Sequence, residues 1–205
     1  MPSNNISILC IGNSHTAGFP LYDPSYGGNP KSSYEYWLER ELKGNFQKES
    51  FNIDNQGICG EMTTDIFRRL TTIDYLERFN IILYWGGAND LGVGRPIKRI
   101  WHNLSLASEF CSSYQVKFFL LTVPPMNIPG MNEPISDLNR LILKESKSEV
   151  IDIYAALVYE NKLKEDYGIG DGVHLSISGY SEVGKTVSRA LSKYLHVHFF
   201  RNIKS

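Results

Sequence analysis

Four short polar clusters in this sequence, each containing or bordered by glycine, hold residue types that can carry out covalent chemistry. Ser14 lies in the first cluster, and Asp171 and His174 lie in the last. A serine hydroxyl is a weak nucleophile at neutral pH, so it needs a base within hydrogen-bond reach to accept its proton. His174 can serve as that base, and Asp171 can accept from the other ring nitrogen and stabilise the imidazolium. These residue types indicate attack on an acyl carbon.

Attack on a carbonyl group places negative charge on its oxygen, which fixed hydrogen-bond donors must stabilise. The backbone N–H groups of Ser14 and Gly60 and the side-chain amide of Asn89 could supply three donors. Glycine at position 60 would let the oxygen approach the backbone closely, because it has no Cβ. Taken singly, each cluster has an ordinary structural explanation as a turn, a cap or a helix start. Their joint occurrence favours the functional interpretation.

The elements that must position these residues follow from the hydrophobic pattern. Short aliphatic runs predict strands at 6–11, 51–55, 80–85, 116–122 and 149–153. Amphipathic stretches between them predict helices over about 33–42, 64–79, 96–113, 135–146 and 177–195. Near-continuous apolar strands are typical of a parallel sheet with helices on both faces. We therefore expect one domain over residues 1–205, a flavodoxin-like three-layer α/β/α fold with a central parallel five-stranded sheet.

The clusters lie where such a fold binds its ligands. In open α/β sheets, ligands bind beyond the carboxyl ends of the strands. The segments GNSHTAG, NQGICG and GGAND end or follow the first three predicted strands, and DGVH comes just before the last predicted helix. We expect all four to meet at one edge of the sheet.

Together these four segments resemble blocks I, II, III and V of the SGNH hydrolases, the superfamily that includes the GDSL-type esterases and lipases. The resemblance runs from Gly12 to His174 and keeps the order of the family's blocks. It implies the SGNH hydrolase fold, with Ser14 as nucleophile, Asp171 and His174 completing the triad, and Ser14, Gly60 and Asn89 forming the oxyanion hole. Block I usually has Asp before the serine, whereas this chain has Asn13. We expect Asn13 to preserve the turn geometry while changing the electrostatics around Ser14.

The composition narrows the possible partners. The chain has 205 residues, a formal net charge of -1 and three cysteines without a CxxC pair. A near-neutral chain has no long-range attraction for nucleic acid, and no apolar run is long enough for stable membrane insertion. We expect a small-molecule ester as substrate, no cofactor and no metal, and, from the odd cysteine count and the missing signal peptide, a cytoplasmic location. The sequence leaves the oligomeric state unknown.

Several further residues could have a functional role, but a structural interpretation of each is simpler. His15 follows the nucleophile, but neighbouring side chains diverge, so we expect it to point away from Ser14. We expect Cys59 to be a small apolar wall near the pocket rather than a reactive thiol. The third predicted helix opens with three basic residues, which we expect to lie on a solvated face: Arg95, Lys98 and Arg99. Two loops rich in Pro, Gly, Tyr and Met, 19–28 and 123–131, are expected to shape the site. Individual substrate-binding residues cannot be assigned from the sequence.

The sequence thus predicts a serine esterase that hydrolyses carboxylic O-acyl esters through an acyl-enzyme. Short-acyl or acetyl esters of a carbohydrate or small molecule are the expected substrates. A lysophospholipase or thioesterase acting on longer acyl chains is the alternative within the same chemistry, and acyl transfer to an acceptor other than water shares the same intermediate. A non-catalytic ligand-binding module on the same fold is the alternative of another class. The G-x-S-x-G elbow of α/β-hydrolases is absent, which argues against that fold.

Overall fold

A five-stranded parallel sheet forms the centre of the molecule, in a computed structural model that describes residues 5–199. Its strands, in chain order β1 to β5, are Asn5–Gly12, Ser50–Gly57, Ile81–Trp85, Lys117–Leu121 and Glu149–Ile151. The spatial order is β2-β1-β3-β4-β5, and every neighbouring pair is parallel. This is the flavodoxin-like order of doubly wound folds. The predicted sheet is confirmed, with strand bounds within two residues of those expected.

Helices connect and cover the strands. In chain order α1 to α8, they are Ser14–Ala17, Tyr34–Asn45, Thr63–Thr71, Ala88–Gly92, Ile97–Ser112, Asn132–Glu145, Ile153–Leu157 and Ile177–His198. Two short antiparallel hairpins pair Tyr22–Asp23 with Gly27–Gly28 and Val158–Tyr159 with Lys162–Leu163. Single 3₁₀ turns lie at Pro30–Ser32, Leu76–Arg78 and Glu165–Tyr167.

The sheet separates two apolar clusters, because alternate side chains of each strand point to opposite faces. On one face, Ile6, Ile8 and Cys10 of β1 pack with apolar residues of α2 and α8. On the other face, Leu9 and Ile11 pack with apolar residues of α3, α5 and α6. Burial on both faces explains why the strands lack an alternating polar pattern. The three-layer α/β/α prediction is confirmed.

The second predicted helix, 64–79, is wrong in its C-terminal half. Helix α3 ends at Thr71, and the chain continues through a separate 3₁₀ turn. The hydroxyls of Thr71 and Thr72 donate to the carbonyls of Arg68 and Arg69, at 2.8 and 2.9 Å. Such side-chain bonds compete with the backbone hydrogen bonds of the helix and so favour its end here. Tyr75, with a φ of 56°, then reverses the chain direction in the left-handed region.

Over residues 5–199, no helix combines the length and the apolar composition that a membrane span requires.

Candidate active site

Ser14 stands at the first position of α1, directly after the end of β1. Asn13 caps this helix: its side-chain oxygen accepts from the His15 N–H at 3.1 Å. An amide oxygen can cap a helix as a carboxylate does. The turn geometry expected from the sequence is therefore present with Asn13, which is fully buried.

A glycine at the end of β2 allows α1 to pack closely against the sheet. A Cβ added to Gly57 would lie 2.0 Å from the backbone nitrogen of Ala17, far inside any tolerable contact. The side-chain nitrogen of Asn55 donates to the Thr16 carbonyl at 2.9 Å, which fastens the same helix to β2. These contacts fix the position of Ser14 relative to the edge of the sheet.

The structure brings Ser14, His174 and Asp171 into one hydrogen-bonded chain. Ser14 Oγ lies 3.1 Å from His174 Nε2, and His174 Nδ1 lies 2.6 Å from Asp171 Oδ2. Ser14 is 160 residues from His174, so the fold alone creates this contact. Both distances are within the range for hydrogen bonds between a nucleophile, a base and an orienting acid.

The Asp171 carboxylate is held by its own loop as well as by the His174 ring. Its Oδ1 accepts from the backbone N–H groups of Val173 and His174, at 2.9 and 2.8 Å. Partial burial raises the pKa of Asp171, but these bonds and the bond from the His174 ring outweigh it, so the pKa falls below its usual value. Asp171 is therefore ionised at neutral pH and can accept from His174 Nδ1.

Gly60 and Asn89 lie in the segments that follow the two strands beside β1. Gly60 has a φ of 82° with open space where a Cβ would be, so the chain needs glycine here for its backbone conformation. Asn89 Nδ2 donates to the Glu61 carbonyl at 2.8 Å, and Ile58 N donates to the Gly12 carbonyl at 3.0 Å. These bonds join all three segments at one edge of the sheet.

Two ion-pair networks that support these segments were missed by the sequence analysis. In the first, Arg69 holds both carboxylate oxygens of Glu61, with its closest contact at 2.7 Å, and also reaches the Gly12 carbonyl at 3.3 Å. Glu61 thus links α3 to the segments that carry Ser14 and Asn89. No local spacing signals this pairing, because Glu61 and Arg69 are eight positions apart.

The second network has the fully buried Asp90 at its centre. Asp90 accepts from the backbone and hydroxyl of Thr63, at 2.8 and 2.9 Å, and from Arg95 Nη1 at 2.8 Å. The expectation that Arg95 lies on a solvated face is wrong: its side chain is only 24% exposed. The polar sequence around Arg95 predicts an exposed side chain, but the buried Asp90 carboxylate requires a charged partner, which Arg95 supplies. It joins the start of α3 to α4, which carries Asn89.

His15, which we expect to point away from Ser14, lies in the interior next to the loop that carries His174. Its side chain is buried, and its Nε2 lies 3.0 Å from the carbonyl oxygen of Val173. Its ring centroid is 5.7 Å from that of His174 and 5.3 Å from that of Trp85. Burial lowers the pKa of His15 to about 4. The hydrogen bond to the Val173 carbonyl raises the pKa, but by less than burial lowers it. His15 is neutral at physiological pH.

The two predicted loops both reach the site. In loop 19–28, the Phe19 ring lies 4.5 Å from the His174 ring, centroid to centroid. Loop 123–131 contributes Asn127, whose N–H donates to the Gly172 carbonyl at 2.7 Å. It also lines a cavity of about 350 Å³, walled by Met126, Asn127, Ile128, Pro129, Gly130, Asn132 and Lys162. A second cavity, of about 190 Å³, includes Asp171 in its wall.

Cys59, directly before Gly60, is exposed. Its role as a small apolar wall of the pocket stays a prediction. Within residues 5–199, no group of three or more His, Cys, Asp and Glu side chains could hold a metal ion.

Comparison with known proteins shows the family of this chain. The profile of the GDSL-like lipase/acylhydrolase family matches residues 10–181, which include all four clusters. No curated protein matches the sequence.

Solved structures with the same fold include three from bacterial species. A lipase/acylhydrolase from Enterococcus faecalis is 23% identical with a TM-score of 0.74, and the match covers 92% of this chain and 96% of that one. A member of the lipolytic G-D-S-L family from Veillonella parvula is 19% identical with a TM-score of 0.73, over 92% and 99% of the chains. A mutant of Axe2, an acetyl-xylooligosaccharide esterase from Geobacillus, is 18% identical with a TM-score of 0.73, over 91% and 94%.

Proposed function

Because the chain belongs to the GDSL-like lipase/acylhydrolase family and is an ester-bond hydrolase, we propose that it cleaves carboxylic O-acyl esters through an acyl-enzyme on Ser14. The observation that carries this proposal is the chain of hydrogen bonds from Ser14 Oγ through His174 to Asp171. A serine joined to a histidine, which is joined in turn to an ionised carboxylate, is the arrangement that acyl transfer requires.

Each residue of the site has a step in the proposed reaction. Ser14 Oγ attacks the acyl carbon while His174 Nε2 accepts its proton, and Asp171 stabilises the resulting imidazolium. His174 then protonates the departing alcohol. In the second half, His174 accepts a proton from a water molecule as the water oxygen attacks the acyl carbon, and then donates that proton to Ser14 Oγ as the acid is released.

The charge that develops on the acyl oxygen needs donors that are already in place. We assign the backbone N–H groups of Ser14 and Gly60 and the side-chain amide of Asn89. The Asn89 amide has two N–H bonds. One donates to the Glu61 carbonyl, which fixes the orientation of the amide and leaves the other for the oxyanion. Preorganised donors of this kind stabilise the transition state strongly, since they need no rearrangement during the reaction.

For the substrate, we propose short-acyl or acetyl esters of a carbohydrate or another small molecule. The acetyl-xylooligosaccharide esterase from Geobacillus, with the same fold, acts on a substrate of this class according to its name. Two cavities beside Asp171 and loop 123–131 offer space for an alcohol group of modest size.

A second candidate substrate class has its own structural support. Exposed apolar side chains lie in the segments around the site: Phe19, Ile58, Val93, Ile128 and Ile169. Such side chains can bind a longer acyl chain, as a lysophospholipase or thioesterase would require. A series of p-nitrophenyl esters from acetate to palmitate separates the two classes. A maximum of kcat/KM at two to four carbons supports the first, and a maximum at eight or more supports the second.

The proposed activity is tested by assaying the same ester panel with the wild-type protein and with Ser14→Ala. Hydrolysis by the wild type and its loss in a folded variant support the proposal. Full activity of folded Ser14→Ala contradicts it. A folded wild type that binds esters without turnover would indicate a ligand-binding module, and faster ester consumption on adding alcohols, with new ester formed, would indicate acyl transfer.

We also propose a cytoplasmic location, which is supported by the thiol state of the cysteines. Cys10, Cys59 and Cys111 are all free, as is usual in a reducing compartment.

A further inference from the structure

A second histidine lies beneath the proposed nucleophile and base without a place in the mechanism above. His15 follows Ser14 on α1 and is 1% exposed. Its ring packs between that of Trp85, at the end of β3, and that of His174, with centroid distances of 5.3 and 5.7 Å. Trp85 is itself fixed, because its ring N–H donates to the Thr122 carbonyl at 3.0 Å. His15 therefore has a rigid support on one side and the base on the other.

His15 forms a hydrogen bond with the peptide group between Val173 and His174, the proposed base. Its Nε2 lies 3.0 Å from the carbonyl oxygen of Val173, and the N–H of the same peptide, that of His174, donates to Asp171 Oδ1 at 2.8 Å. This peptide is held at both of its polar atoms. One partner adjoins the nucleophile, and the other is the proposed orienting acid.

The protonation state of His15 follows from its partner. A carbonyl oxygen only accepts hydrogen bonds, so Nε2 must carry the proton, and the neutral ring has its lone pair on Nδ1. Nδ1 is buried and has no hydrogen-bond partner among residues 5–199. A neutral ring at this place adds no positive charge that would oppose formation of the His174 imidazolium.

We propose that His15 is a positioning residue, which donates through Nε2 to the Val173 carbonyl and so holds the base loop at a fixed distance from the nucleophile on α1. This inference rests on the proposed function of Ser14 and His174. A single residue next to the nucleophile thereby couples two segments that lie about 160 positions apart in the chain.

Two substitutions separate the hydrogen bond from the packing. His15→Phe keeps a ring between Trp85 and His174 but cannot donate to Val173. His15→Gln loses the ring but retains a neutral N–H donor of similar reach. Since a misplacement of about 1 Å can cost about 10²-fold in rate, we expect kcat to fall about 10- to 100-fold in His15→Phe, with KM changed less than about twofold. We expect His15→Gln to recover most of kcat.

Controls distinguish positioning from general damage to the fold. His102→Phe, the same substitution at an exposed histidine on α5, should leave kcat unchanged. The apparent pKa of the kcat/KM profile should be the same in His15→Gln and wild type, because neither side chain carries a charge at neutral pH. Wild-type kcat in folded His15→Phe, or equal losses in both variants, would overturn the proposal.

A measurement on the wild type covers the case in which a variant does not fold. Nitrogen-detected NMR of the imidazole groups should show His15 as the Nε2–H tautomer at pH 7, and a charged ring or the Nδ1–H tautomer would overturn the proposal. Ser14→Ala, assayed in parallel, tests the underlying function. If Ser14→Ala abolishes turnover while His15→Phe retains it, the positioning role fails and the proposed function stands.

Discussion

Glu35, near the start of α2, is a buried carboxyl group whose state controls the stability of the fold. The residue is only 6% exposed, and Ser33 Oγ donates to its Oε2 at 2.5 Å. Burial raises the pKa of Glu35 from 4.5 to about 8, and the bond from Ser33 offsets only part of this effect. The group is therefore protonated in the folded protein at neutral pH and ionised in the unfolded chain.

This difference gives a stability penalty that grows with pH. Below pH 4.5, Glu35 is protonated in both states and has no effect. Between pH 4.5 and about 8, the unfolded chain releases the proton and the folded protein keeps it, so unfolding becomes easier. At about 1.4 kcal/mol per pKa unit, the penalty reaches about 3 kcal/mol at pH 7 and levels off near 5 kcal/mol above pH 8. The neighbouring Cys10 and Tyr34 have pKa values raised well above 9 and 10, so they stay neutral over this range.

Glu35→Gln removes the titration with little change in shape. We expect the variant to equal the wild type in free energy of unfolding near pH 4.5 and to exceed it by about 3 kcal/mol at pH 7. Urea unfolding monitored by tryptophan fluorescence at pH 5, 7 and 9 measures the difference. Glu39→Gln, at a half-exposed glutamate on the same helix that pairs with Lys43, is the matched control and should show no such rise. A difference for Glu35→Gln that stays constant or reverses sign with pH refutes the reasoning.

Three further substitutions test the supports of the site. Asn89→Ala should lower kcat about 10²- to 10³-fold in steady-state ester hydrolysis by removing one oxyanion donor; a loss below threefold would contradict that role. Gly57→Ala places a Cβ 2.0 Å from the nitrogen of Ala17, so displacement of α1 should lower kcat by about 10²-fold, and unchanged kcat would refute the close contact. Arg95→Met leaves the buried Asp90 carboxylate without its charged partner and should cost about 3 to 5 kcal/mol in urea unfolding, where a loss under 1 kcal/mol would contradict the pairing.

The sheet and the long helices were predictable because their signals are local. Each strand is an apolar run buried on both faces, and the helices other than α3 that were predicted lie within three residues of their expected bounds. The one-turn helices α1, α4 and α7 were not predictable. Segments of four or five residues have no hydrophobic period, and tertiary contacts such as the bond from Asn55 to the Thr16 carbonyl of α1 hold them in place.

The members of the candidate site could be named from the sequence, but not the contacts that support them. Ser14 and His174 lie in glycine-flanked clusters at the sheet edge, where an α/β fold binds ligands. Two of these contacts depend on the tertiary structure: the hydrogen bond from His15 to Val173 and the ion pair of Asp90 with Arg95. Sequence spacing gave the opposite expectation for Arg95, because burial decides the partners of such a side chain.

Labelling with a fluorophosphonate probe tests the central proposal most directly, because the probe reacts only with a serine activated by its base. Wild type, Ser14→Ala and His174→Ala would be treated side by side, and the modified residue would be identified by peptide mass spectrometry. The account predicts modification of wild type at Ser14 and no modification of either variant. A folded wild type that stays unlabelled, or His174→Ala labelled as fast as wild type, would contradict the account.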